Sequence, residues 1–263
     1  MGLSVVHEIA ASLGVGLLGG IASGLLGVSP GGGLVVFSIL LLGVEQHVAQ
    51  GVSLIAQIAP TSLSGVRRYR EKGICAPTRW LVPLTVGFAI GGVAGALAAG
   101  GVSDVVLRWV YVVYLVALDG LMIVRAARQR PKATTDDEEA RIPWAGLLAV
   151  GAAGGLFSGF LGIGGGLAIT AGLGAAFKAP QHQAQMVSLV LAIIPTTLPS
   201  AYVYWRDGWT ASWPIVAGVI LGLWGGADIG ARMANRIGEA ALRRLGIAFV
   251  SAMTLYMTFK AIG

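Results

Sequence analysis

Ser23-Gly24-Leu25-Leu26-Gly27, followed by Gly31-Gly32-Gly33-Leu34, returns later as Ser158-Gly159-Phe160-Leu161-Gly162 followed by Gly164-Gly165-Gly166-Leu167. The likeness then continues. Shifted by 135, Val44 to Gly73 aligns without a gap on Ala179 to Gly208, with 13 identities in 30 positions. They include Gln46, His47, Gln50, Ser53 and Thr61 against Gln181, His182, Gln185, Ser188 and Thr196, polar residues that composition alone would not place twice. With the two GGGL runs matched, Ser29-Pro30 make the first break two residues longer than the second. A duplicated hydrophobic unit carrying a glycine break and a polar cluster is the pattern of a membrane transporter.

Composition agrees. The chain is 56% hydrophobic and 11% charged, whereas soluble domains run at about 45–50% and about 25%. Its mean hydropathy is +0.79. The 18 basic and 12 acidic residues of this 263-residue chain are too few to form the charged shell of a soluble core. One cysteine, Cys75, excludes an internal disulfide and has no neighbours that suggest a metal site or a nucleophile. Met1 to Ala10 lacks a basic region, and the apolar run after it outlasts a signal peptide, so this segment reads as a retained first span.

Ten apolar segments can be drawn, five per half, at roughly 5–28, 33–43, 48–65, 80–100, 109–127, 144–163, 166–177, 184–202, 213–233 and 245–262. Most approach the ~20 residues that cross a bilayer as helix. The second and seventh are shorter, and each follows a glycine cluster. If the short segments complete a crossing, the halves are inverted and the basic residues split 15 to 3 between the two faces; if they return to the same side, the split is 12 to 6. The positive-inside rule favours the sharper asymmetry. The expected fold is therefore an all-α polytopic membrane protein of two inverted five-segment repeats, 1–127 and 143–263, joined by a polar cytoplasmic linker at 128–142, with both termini outside. Its net charge of +6 calls for no nucleic-acid partner, because insertion and anionic lipid account for where the basic residues sit.

Non-helical backbone at membrane depth is costly unless protein or a watery cavity satisfies it. At each break a short helix begins, and its first amides lack intrahelical partners and carry the positive end of the helix dipole. Gly31, Gly32, Gly33, Gly164, Gly165 and Gly166 are thus candidates for holding an anion; the alternative is that they only permit tight helix packing. On a helix, Gln46, Gln50 and Ser53 share a face. With Gln185, Ser188, Thr61 and Thr196 they add hydrogen-bonding groups close to Pro60 and Pro195, where the span is expected to kink. His47, His182 and Asp119 are candidates for proton coupling, although the histidines could equally cap helices and Asp228 could pair with Arg232. No phosphate-binding P-loop ending, HExxH, CxxC pair or GxSxG elbow occurs. An exporter of a different small solute is the alternative within transport, and an intramembrane enzyme built on Ser29 and a histidine is the cross-class one. No cofactor or metal is implied.

The run SG-hydrophobic-hydrophobic-G, then GGG, a short apolar segment, A-Q-x-x-S-L and a Pro-Thr pair before a basic turn ending at Gly73 resembles the TauE/SafE family of sulfite and organosulfonate exporters. The resemblance covers essentially the whole chain and both halves. It implies a bacterial inner-membrane permease that moves small sulfur-containing anions, usually outward, with Gly31 to Gly33, Gly164 to Gly166, Ser53 and Ser188 as the residues that match the family's motifs.

Overall fold

The computed structural model describes residues 2–26, 29–60, 62–71, 73–127, 142–234, 236–237 and 239–262. Thr61 and the linker at 128–141 lie outside the described residues. Among those described, every regular element is a helix. The first half holds α1 (Gly2–Leu26), α2 (Gly31–Phe37, prolonged by a π-helical stretch Ser38–Leu42), α3 (Gln46–Ala56), α4 (Leu63–Glu71), α5 (Thr78–Gly100) and α6 (Asp104–Ala127). The second holds α7 (Trp144–Leu161), α8 (Gly166–Phe177), α9 (Gln181–Leu191), α10 (Leu198–Arg206), α11 (Trp213–Ala234) and α12 (Glu239–Ile262). The starts at 31, 46, 63, 78 and 104 recur at 166, 181, 198, 213 and 239, each 135 residues on.

Six of these helices, α1, α5, α6, α7, α11 and α12, are long and apolar enough to cross a membrane. The segments at 48–65 and 184–202, expected to be kinked spans, are broken instead. Each divides into an 11-residue helix, α3 or α9, and a nine-residue one, α4 or α10. The interruption begins at Gln57 and Ala192, before Pro60 and Pro195. A proline has no N–H and disfavours helical backbone at the residue before it, so the helix stops short of the ring rather than bending around it.

The long helices pack in reciprocal pairs. α1 lies along α11 and α5 along α7. Gly16 abuts the backbone of Val219 and Leu223 while Gly24 abuts Ala227 and Ala231, so α1 and α11 run in the same direction. Gly87 against Leu148 and Ala152, with Gly95 against Leu156 and Phe160, gives α5 and α7 the same sense. Spacing of small residues by four lets these backbones approach closely, the usual device where lipid removes the hydrophobic drive to associate. α6 and α12 form the remaining pair, and they are antiparallel. Arg108, one turn into α6, donates from Nη1 to the carbonyl of Lys260 near the end of α12 (3.5 Å), whereas Asp119, far along α6, accepts from Ser251 near the middle of α12 (2.7 Å).

Candidate functional site

Two half-length hairpins build the site. α2 doubles back along α1, with Gly33 beside Gly19 and Gly14 facing Leu41, and α3 then returns to the level where α2 began. At 1.5 Å per residue, the 11 residues of α3 rise about 16 Å, roughly half the ~30 Å of a hydrocarbon core. Its last turn therefore ends deep in the bundle. The Tyr111 hydroxyl, two turns into α6, donates to the carbonyl of Gly32 (2.8 Å) and sets the start of α2 at that depth.

There the two breaks touch. The buried Ser53 hydroxyl bridges them, 2.7 Å from the carbonyl of Gly162 and 3.2 Å from that of Gly31. Gln57 completes the tie: its amide nitrogen donates to the Ser53 carbonyl and hydroxyl and to the Gly162 carbonyl at 3.1, 3.1 and 3.2 Å, and its amide oxygen accepts from Ser29 (3.0 Å). Gly162 and Gly164 adopt φ of +70° and +75°, a region that side chains resist. A Cβ at Gly164 would overlap the Ser29 hydroxyl and the Gln57 amide, and one at Gly31 would overlap the backbone of Ile163. These glycines therefore serve close approach between the breaks. Gly32 is different: its nearest neighbour to an added Cβ would be the Tyr111 hydroxyl at 3.8 Å.

The geometry corrects one alignment. Ser188 donates to the Gly166 carbonyl (3.3 Å) as Ser53 does to that of Gly31, and α8 starts at Gly166 as α2 starts at Gly31. The register of 135 thus holds through the break, and Ser29-Pro30 occupy the places of Gly164-Gly165 instead of being inserted. The eye-catching GGGL runs lie two residues out of structural register.

A cleft opens beside this junction. Ser29, Gly32, Gly33, Ile163 and Leu167 form one side of it; Tyr114, Leu115 and Leu118 of α6 and Phe249, Val250 and Met253 of α12 form the rest. The α6 and α12 residues correspond one to one at a spacing of 135, and they lie at the middle of their helices. The walls are mainly apolar, with the Ser29 hydroxyl and the amide-bearing start of α2 along one edge.

The remaining expected residues fall into matched but unequal places. Gln50 accepts from the Tyr204 hydroxyl (2.8 Å), which also contacts the Gly159 carbonyl (3.0 Å). Gln185 accepts from Tyr69 (2.6 Å). Tyr69 and Tyr204 are 135 apart, as are Gln50 and Gln185, so each half reaches into the other by the same bond. Thr196 is buried with its hydroxyl 3.4 Å from the Leu191 carbonyl. His47 is buried in the first turn of α3: Nε2 donates to the Ala99 carbonyl (3.0 Å), Nδ1 meets the Asp104 carboxylate (2.8 Å), and the ring lies 4.5 Å from that of Trp209. His182 is exposed. Asp119 is held by Ser251, and Asp228 pairs with Arg232 at 2.7 Å.

Ser29 donates to Gln57 and His47 is engaged elsewhere, so no Ser–His pair forms here. No group of three or more potential metal ligands occurs among the described residues. Gln57 escaped the sequence reading. It continues the stripe of 46, 50 and 53 by one further turn, but its counterpart is Ala192, and attention to duplicated residues hid it. A family model described as Sulfite exporter TauE/SafE matches residues 12–257. No curated protein matches the chain.

Proposed function

The chain belongs to the sulfite exporter TauE/SafE family, a family of membrane transporters, and on that premise we propose that it is a permease for sulfite, an organosulfonate or a related small sulfur-containing anion. In this reading the substrate crosses by alternating access around the junction of the two glycine breaks. Ten segments cross the membrane, two of them as loop plus half-helix and two as broken helices. The two halves, 1–127 and 143–263, are inverted about an axis in the membrane plane. The antiparallel α6–α12 pair supports inversion, because an axis along the membrane normal would make equivalent helices at the axis parallel. The 15 to 3 charge split supports a cytoplasmic linker and both termini outside, in a bacterial inner membrane.

The observation that carries the reading is the cleft at mid-height, flanked by both breaks and lined by equivalent residues of α6 and α12. Backbone amides of Gly31, Gly32 and Gly33 and of Gly164, Gly165 and Gly166 would supply partial positive charge without burying a cation. Ser53 and Ser188 act by tying the breaks to their helices, and Gln50, Gln185 and Thr196 hold the surrounding frame. Ser29 and Gln57 are the side chains best placed to meet the anion. Any proton coupling would fall to Asp119, His47 or His182. The test is flux of radiolabelled sulfite, thiosulfate and an organosulfonate in proteoliposomes of the purified protein. The expected result is saturable movement of at least one of them above protein-free liposomes. Movement of none overturns the reading.

A further inference from the structure

The sharpest charge feature outside the junction lies at the His47 end of the α6–α12 seam. Among the described residues, Arg108, Arg206 and Lys260 are the Arg and Lys residues at this end. Arg206 is neutralised by Asp207 at 2.8 Å, a contact that holds the Asp207 carboxyl below the usual carboxylate range. Asp104, one turn before Arg108, is occupied by the ring and backbone N–H of His47. Arg108 and Lys260 have no carboxylate partner among the described residues. They are brought together by the single contact from Arg108 Nη1 to the Lys260 carbonyl, and the Nε of Arg108 is buried without a partner.

Its position gives the feature meaning. Tyr114 and Leu115, which line the cleft, lie six and seven residues further along α6, about 9–10 Å deeper at 1.5 Å per residue. The sequence at the counterpart positions is basic as well. Positions 125 and 243, related to 260 and 108 by the 135-residue spacing, are both arginine and lie near the far ends of α6 and α12. An anion held at the Arg108–Lys260 end would thus stand about 9–10 Å along α6 from the apolar cleft.

We propose that Arg108 and Lys260 form a capture site for a small oxyanion at the mouth of the α6–α12 seam, exchanging it with the cleft below. This rests on the anion-transport reading above. The guanidinium offers a planar fork to two oxyanion oxygens and the ammonium a point charge. Lys260 is exposed and Arg108 half-buried, so the anion is drawn in but screened and released rather than trapped. A phosphate group on a lipid would meet the same chemistry, and the experiment separates the two.

Arg108→Gln, Lys260→Gln and the double variant are reconstituted in phosphatidylcholine vesicles with and without anionic lipid, and radiolabelled sulfite flux is measured at low and high ionic strength. Arg67→Gln, an exposed residue paired with Glu71 on α4, is the control. The expected result at low salt is a rise in KM of about threefold or more for sulfite offered at this mouth, most for the double variant, with the salt dependence of the wild type flattened. Lys260→Cys in a Cys75→Ser background gives a readout that loss of structure does not imitate. Modification with a cationic thiosulfonate should restore flux, and modification with an anionic one should lower it further, each after the reagent is washed away. Unchanged KM in the double variant overturns the proposal, and so does a deficit that appears only when anionic lipid is present. Absence of wild-type flux would instead refute the transport reading itself.

Discussion

α3 and α9 have the same length and nearly the same polar residues, yet they live in different surroundings. In α3, Gln46, His47, Gln50 and Ser53 are all buried. Trp209 covers its first turns, stacked near His47 and with its carbonyl against Gly51, where no side chain intervenes. Asp104 and Ala99 take up both ring nitrogens. In α9, His182 is exposed and Gln185 and Ser188 are half-buried. The place of Gly51 is taken by Met186 and that of Trp209 by Ile74. One end of the molecule is closed by an aromatic cover and the hydrogen-bonded His47–Asp104 pair, and neither has a counterpart on α9 among the described residues. Duplication supplied two copies of a half-helix, and the residues that were not duplicated decided which copy is sealed.

The largest test of this difference concerns the backbone contact that both hairpins serve. Gly31→Ala forces a methyl into the carbonyl of Ile163, whereas Gly32→Ala meets only open space and the Tyr111 hydroxyl. Overpacking of a site that cannot relax costs about 3 kcal/mol, or roughly 6–12 °C in melting temperature for a chain of this size. Thermal unfolding in detergent should show that loss for Gly31→Ala and little for Gly32→Ala. Equal, small losses would mean that the breaks do not touch as described.

Next come the reciprocal tyrosines. Tyr204→Phe leaves the buried Gln50 oxygen and Gly159 carbonyl short of a donor, which costs about 1–3 kcal/mol. Tyr69→Phe removes one half-buried bond to Gln185, worth about 1 kcal/mol or less. A larger loss for Tyr69→Phe would reverse the order of the two halves. The last comparison sets the His47–Asp104 pair at the sealed end against its exposed counterpart. Asp104→Asn should cost about 1 kcal/mol, since the carboxylate is partly solvated, and His182→Gln should leave the melting temperature unchanged.

Much of this was legible from sequence because it depends on periodicity and composition. The repeat, the membrane class, the two breaks and the family were all written in residues 23–73 and 158–208. The break in α3 was half visible: Pro60 marks a disturbance, but only packing decides between a kink and a gap. The register across the glycine run was misread because local identity of GGGL outweighed constant spacing, which the paired bonds of Ser53 and Ser188 restore. Partners such as His47 with Asp104, or Tyr69 with Gln185, are 57 and 116 residues apart and depend on which helices meet. Gln57 was hidden because it breaks the very symmetry that made the site noticeable.

The claim that the two breaks enclose the substrate's path is tested most directly at Gly32, which lines the cleft and has room for a side chain. In a Cys75→Ser background, Gly32→Cys protein in proteoliposomes is treated with a bulky thiol reagent, washed, and assayed for radiolabelled sulfite flux, with labelling quantified by mass. Flux should be wild-type-like before labelling and should fall to the protein-free background in proportion to the fraction labelled. Complete labelling with flux unchanged would contradict the claim.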